Sequence, residues 1–122
     1  MVDDDRRARA LARLKELDDE PGGDAFLARM GPLGEWIVDF AFGDVHTRPG
    51  LDARERELII VAVLASLGSS DPQVAAHIRA LRAIDVPWNE IEETILQITP
   101  YAGIPRAVNA MKVLRAEQEA DQ

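Results

Sequence analysis

Apolar residues recur at helical spacing along almost the whole chain, in segments divided by proline and glycine. "DDRRARALARLKELDD" places Ala8, Leu11, Leu14 and Leu17 on one side of a predicted N-terminal helix within residues 1–20, and "EPGGD" breaks it. In "AFLARMGPLGEWIVDFAFG" the stripe is Phe26, Met30, Leu33, Ile37, Phe40 and Ala41, with Gly31-Pro32 dividing the segment in two. "DVHTRPG" reads as an irregular connection. Asp52 has the character of an N-cap, with Glu55 three residues on to complete a capping box. The helix it opens runs over 53–67 and stops at Gly68. Asp71-Pro72 restarts a helix as cap and first-turn proline, with Val74, Ile78, Leu81 and Ile84 as its core side. "VPWNEIEETILQIT" contributes Ile91, Ile95 and Ile98, and the last helix contributes Val108, Met111 and Leu114. No stretch alternates with period two. The pattern predicts an all-α domain of about six helices with short connections.

Helix 53–67 departs from the pattern. It is amphipathic at first and then apolar on all sides through "LIIVAVLA". Such a helix is either central to the bundle or also faces a partner subunit, and a homo-oligomer explains it.

The length of 122 residues predicts one domain over 1–122. A hydrophobic fraction of 47% beside 30% charged residues is that of a water-soluble globular protein. No apolar run approaches the roughly 20 residues of a membrane span. The charged opening "MVDDDRRARA" does not resemble a secretory leader, so a cytoplasmic location is expected. A net charge of −8 argues against nucleic-acid binding. Cysteine is absent, which removes disulfides, thiolate nucleophiles and zinc–cysteine sites. Two histidines at this spacing give no support for a metal site.

The stretch "LGSSDPQVAAHI" ends one apolar helix, turns, and opens another that carries His77 near its core side. His77 there is either a satisfied half-buried histidine or an acid–base group. Glu57, in "RERELII", is either a solvated first-turn acid or a partner for it. His46 and Arg48 lie in a polar loop whose ends are pinned by Phe42 and Leu51, the kind of place where functional groups gather.

"FAFGDVHTRPGLDARERELIIVAVLASLG", "HIRAL" and "IEETILQITPYAGIPRAVNAM" together resemble the carboxymuconolactone decarboxylase family, within the alkylhydroperoxidase D-like superfamily. The resemblance covers about residues 34–115. It implies an all-α bundle that assembles as a trimer or hexamer. In the peroxidase branch the turn before the histidine helix carries a Cys-x-x-Cys pair. Seven and four residues before His77 stand Ser70 and Gln73, so dithiol peroxidase chemistry is excluded. Several positions depart from the family pattern: His46 stands where tryptophan is usual, Asp85 where glycine is common, Pro87-Trp88 in place of a Thr-x-Glu cap, and Pro100 just before "YAG".

The family reaction removes carbon dioxide from a carboxylated γ-lactone bearing an acetate arm, in aromatic-compound catabolism. The resemblance implies that Arg48 holds a substrate carboxylate, with Arg56 or Arg79 as further cations. It also implies His77 as proton donor or oxyanion partner, with Glu57 orienting His77 or setting its protonation. His46 is a second donor, and Tyr101 with Gly103 shapes a pocket wall or subunit contact. No metal or cofactor is required, because the substrate carries its own electron sink. On antiparallel helices Glu57 and His77 are offset by roughly 5 Å along the axis. That leaves contact within one chain or across a subunit boundary equally open. The alternative is a non-catalytic, small-ligand-binding member of the same fold.

Overall fold

The computed structural model describes residues 4–17 and 23–122. They form α1 (Asp4–Leu17), α2 (Gly23–Arg29), α3 (Pro32–Trp36), a π-helix (Ile37–His46), α4 (Ala53–Leu67), α5 (Asp71–Ala83), α6 (Trp88–Ala102) and α7 (Ile104–Ala120). There is no strand among the described residues, so the all-α expectation holds. No helix among them is long and apolar enough to cross a membrane. The break predicted at "EPGGD" falls mostly on residues 20–22, outside the described residues, as does the end of the predicted N-terminal helix. The chain forms two compact units, residues 1–53 and 54–122.

In the first unit α1 packs on the π-helix. Its buried residues are Ala10 and Leu17, with Leu14 half-buried, whereas Ala8 and Leu11 are exposed. The predicted stripe was therefore rotated about the helix. Two apolar rows at helical spacing compete here, and small Ala10 wins because α1 approaches closely. A Cβ on Gly43 would stand 2.7 Å from the Arg6 carbonyl oxygen.

The stripe predicted from Phe26 to Ala41 does not form a buried face. Phe26, Met30, Leu33, Phe40 and Ala41 are exposed, Ile37 is half-buried, and Val38 is buried instead. The stripe assumes one continuous winding. Gly31, at φ +60°, breaks the chain. After Trp36 the helix winds with the wider i→i+5 pattern, ending with Thr47 N–H donating to the Phe42 carbonyl at 3.2 Å. The helix also runs on to His46, into residues predicted as an irregular loop.

In the second unit the core comprises Val61 and Ala65 of α4, Val74, Ile78 and Leu81 of α5, Ile91, Ile95 and Ile98 of α6, and Ala107, Ala110 and Leu114 of α7. Each large aliphatic side chain buried this completely contributes on the order of 1.5–3 kcal/mol. The predicted core sides of α5 and α6 are correct. In α7 the face turns: Ala107, Ala110 and Leu114 are buried with Met111 partly covered, while Val108 is 44% exposed.

The turn between α4 and α5 has a defined local cause. Gly68 takes φ +79°, its N–H donates to the Leu64 carbonyl, and Arg106 Nη1 donates to the Leu67 carbonyl at 3.1 Å. Ser70 rather than Asp71 occupies the cap position of α5, and Asp71 is already helical. Two departures from the family pattern also find a place. Asp85 holds φ +64°, the left-handed conformation for which glycine is the common choice. Pro100 lies inside α6, which continues to Ala102.

Candidate active site

Glu57 lies on α4 at positions i and i+4 with Val61, so the row that enters the core carries it inward. It is completely buried. His77 lies on α5 three residues after Val74, at the edge of that helix's core face, and 25% of its side-chain surface is accessible. The two meet: His77 Nδ1 and Glu57 Oε2 are 2.6 Å apart. A carboxylate only accepts, so Nδ1–H donates, and the neutral ring carries its lone pair on Nε2. The contact forms within one chain, which settles the question left open by the axial offset. Glutamate and histidine are long enough to close it.

This is the arrangement of a general acid–base pair. The buried carboxylate fixes the tautomer and the ring orientation and stabilises the imidazolium formed when Nε2 takes a proton.

His46 and Arg48 belong to the first unit. His46 is buried, with 4% of its surface accessible, and stacks on Phe42 at a centroid distance of 5.0 Å. Arg13 Nη1 donates both to His46 Nδ1 and to the His46 carbonyl, each at 2.8 Å. Arginine has no acceptor, so His46 Nδ1 must be unprotonated in this contact. The same cation caps the His46 carbonyl at the end of the π-helix. Arg48 is exposed on the turn that follows, its N–H donating to the Val45 carbonyl at 3.1 Å.

Sequence reasoning did not find the role of Arg13, nor the two neighbouring contacts of the same helix, Arg6–Asp44 at 2.8 Å and the bidentate Arg7–Asp39 at 2.7 and 2.8 Å. Hydrogen bonding to Arg7 holds the Asp39 carboxyl below its ordinary value of 3.8, and the same contact raises Arg7. The available signal was the basic row on α1 facing two aspartates five positions apart, a spacing that one turn of a π-helix brings to the same side.

The secondary cations separate. Arg79 pairs with Glu117 at 2.7 Å, and its place two residues beyond His77 turns it away from the dyad. Arg56 is half-buried beside Glu57. Tyr101 is 86% exposed at the end of α6, which suits a surface contact rather than a covered pocket wall. Open grooves among the described residues include two. One, of about 470 Å³, is lined by Arg7, Leu11, Leu27 and residues of α3, and the other, of about 390 Å³, runs along α7 beside Met111 and Lys112. Neither is lined by Glu57 or His77.

Comparison with known proteins gives these positions a context. The chain is 41% identical over 76 residues to a 4-carboxymuconolactone decarboxylase of Acinetobacter baylyi, covering 62% of this chain and 56% of that protein. It is 32% identical over 82 residues to a nitrosuccinic acid decarboxylase of Metarhizium robertsii, covering 67% and 57%. It is 28% identical over 81 residues to an uncharacterised 15.0 kDa protein of Paracoccus denitrificans, covering 66% and 60%. The chain thus spans under two thirds of the length of these relatives. Residues 31–116, which include the π-helix, Arg48 and the Glu57–His77 pair, match the carboxymuconolactone decarboxylase family. The chain belongs to the carboxymuconolactone decarboxylase family.

Proposed function

We propose that the protein is a cofactor-free decarboxylase acting on a carboxylated γ-lactone resembling 4-carboxymuconolactone, in aromatic-compound catabolism. The observation that carries this reading is the buried Glu57 carboxylate held 2.6 Å from the partly accessible His77 ring, in a chain of this family. Loss of carbon dioxide leaves an electron pair on the ring carbon. The pair passes through the conjugated double bond into the lactone carbonyl, giving a dienolate. His77, as imidazolium, delivers the proton from Nε2 to the carbon beside that carbonyl, and an enol-lactone leaves. Proton transfer of this kind contributes about 10²–10⁴-fold. Glu57 acts through His77 as a positioning residue.

Two relatives carry decarboxylase names, one for a lactone acid and one for a nitro acid. Each named compound places an electron-withdrawing group where it can receive the pair left by carbon dioxide. That supports a site whose work is proton delivery, with the sink supplied by the substrate. Arg48 is assigned to a substrate carboxylate, His46 and Tyr101 to secondary binding roles, and the working form to a homo-trimer or homo-hexamer. The test is loss of substrate ultraviolet absorbance with release of carbon dioxide by the wild type, and its absence in His77→Asn.

The alternative reading is a non-catalytic or small-ligand-binding member of the same fold. A non-catalytic ligand-binding member of the family would bind lactone acids in a thermal-shift screen without consuming them.

A further inference from the structure

We infer that Arg13 is a positioning residue that fixes buried His46 in the tautomer with its hydrogen on Nε2. His46 then serves a bound carboxylate as a neutral hydrogen-bond donor and takes no part in proton transfer. The carboxylate rests on the proposed function, in which His46 has a secondary binding role, but the tautomer has its own signal.

One atom of Arg13 makes two contacts with one residue. Nη1 carries two hydrogens and lies 2.8 Å from His46 Nδ1 and 2.8 Å from the His46 carbonyl oxygen. The carbonyl accepts whatever the state of the ring, so it anchors the guanidinium in place. The ring nitrogen has no such latitude. A guanidinium stays charged and has no lone pair to offer. An Nδ1–H, in the other neutral tautomer or in the imidazolium, would face an N–H across 2.8 Å. The imidazolium would also set a second positive charge beside the first. Only the ring with its lone pair on Nδ1 and its hydrogen on Nε2 fits. The surroundings hold that ring still: it stacks on Phe42 at 5.0 Å, the residue is 4% accessible, and Arg13 Nε lies 3.8 Å from Glu16 one turn along α1.

The two histidines of the chain are thereby held in opposite tautomers. Glu57 accepts Nδ1–H from His77, which leaves a lone pair on Nε2 of that ring. Arg13 donates to Nδ1 of His46, which leaves Nε2 with a hydrogen and no lone pair. A ring in that state gives one hydrogen bond and takes none, and its complement is an oxygen that only accepts, as a carboxylate does. A neutral donor also suits a buried position, where an uncompensated charge is costly. Arg13 lies on α1, ahead of the residues 31–116 that match the family, so the functional residues extend to a helix outside that match.

The experiment uses the full chain, labelled with ¹⁵N, and long-range ¹⁵N–¹H correlation of the imidazole rings at neutral pH. The chain has two histidines, so His77→Asn assigns the His46 signals. Arg13→Lys keeps a cationic donor with no acceptor, Arg13→Met keeps the length and removes the donor, and circular dichroism melts establish that each is folded. Affinity for 4-carboxymuconolactone is read as KM and, independently of turnover, as Kd from thermal shifts. The expected result is hydrogen on Nε2 alone in the wild type and in Arg13→Lys, with Nδ1–H appearing in Arg13→Met. Affinity should fall by roughly 2- to 10-fold in Arg13→Met, as for one hydrogen bond, and return in Arg13→Lys, with kcat changing less. Nδ1–H on wild-type His46, or an unchanged tautomer in folded Arg13→Met, overturns the inference and leaves Arg13 as a packing residue. A shifted tautomer with unchanged affinity overturns the donor role, and equal falls in kcat and kcat/KM overturn the exclusion of His46 from proton transfer. The expected tautomers and affinities in a wild type that consumes no lactone acid support the inference and overturn the proposed function alone. If Arg13→Met does not fold, the wild-type and Arg13→Lys spectra decide, and Nδ1–H in either overturns the inference.

Discussion

Glu57 and His77 stand twenty positions apart in the chain, and their side chains meet at 2.6 Å. The distance is set by the α4–α5 turn. Gly68 reverses the chain at φ +79°, and Arg106 holds the last carbonyl of α4. Two helices of different lengths are thereby fixed in one register, and the row that buries Val61 on α4 also buries Glu57.

That relationship makes the dyad's variants non-additive. If Glu57 acts through His77, Glu57→Gln should lower kcat while leaving KM near its wild-type value. His77→Asn should lower kcat by about 10²–10⁴. Combining the two should cost little beyond His77→Asn alone, because residues acting as a unit are not additive. Steady-state kinetics on the three variants check this. A double variant whose loss equals the product of the single losses would mean that Glu57 acts independently.

Much of the fold was legible in the sequence because α5 and α6 follow one winding and bury one face. Val74, Ile78 and Leu81, and then Ile91, Ile95 and Ile98, are where the periodicity puts them. The first unit was less legible for a physical reason. Helical periodicity assumes 3.6 residues per turn, and from Ile37 the chain winds otherwise, so each later residue lands on a different face. Phe40 is exposed and His46 buried as a result. In the site, the Glu57–His77 pair was legible from residue type and family resemblance. The Arg13–His46 contact was not, because nothing in the local sequence pairs α1 with a helix end thirty-three positions away.

Arg48 gives a different kinetic signature. A guanidinium holds a carboxylate through two parallel hydrogen bonds, whereas an ammonium supplies a point charge. Arg48→Lys should therefore raise KM several-fold and change kcat less. Equal falls in kcat and kcat/KM would place Arg48 in the transition state instead.

Glycine-to-alanine changes in helices ordinarily stabilise by up to about 1 kcal/mol. Gly43 and Gly34 should do the reverse. A Cβ at Gly43 would stand 2.7 Å from the Arg6 carbonyl, and one at Gly34 would overlap the Leu27 carbonyl, both of them backbone atoms that cannot swing away. Each alanine should destabilise the first unit by roughly 1–3 kcal/mol, as overpacking does. Denaturant unfolding checks the sign, and a stabilised Gly43→Ala would mean that α1 does not lie against the π-helix in solution.

The Arg7–Asp39 contact predicts an acid sensitivity of definite sign. Hydrogen bonding to Arg7 lowers the Asp39 carboxyl below 3.8, so the folded state binds that proton less readily than the unfolded chain. The contribution is fully present above the unfolded value and is lost as pH falls through the lower folded one. Asp39→Asn should therefore melt below the wild type at neutral pH, with the gap closing below about pH 4. Melts across that range, with Arg7→Gln as a second variant, check it. A gap that persists undiminished at pH 2 would assign the effect to packing.

The last prediction concerns assembly. Along α4, Ile59, Val63 and Leu67 recur every fourth residue and are 49%, 49% and 67% exposed. A row of three large aliphatic side chains facing water is costly, and covering it returns roughly 25 cal/mol for each Å² removed. The residues lie opposite the row of Glu57, Val61 and Ala65, so a polar side chain there leaves the core and the dyad in place. Light scattering should give three or six times the 13.5 kDa of the chain, and Val63→Asp should lower that mass without lowering helix content. If wild type runs as a 13.5 kDa monomer at micromolar concentration, the row is simply exposed and homo-oligomer assembly falls. If Val63→Asp unfolds the chain instead, Ile59→Asp, one turn earlier on the same exposed row, repeats the test.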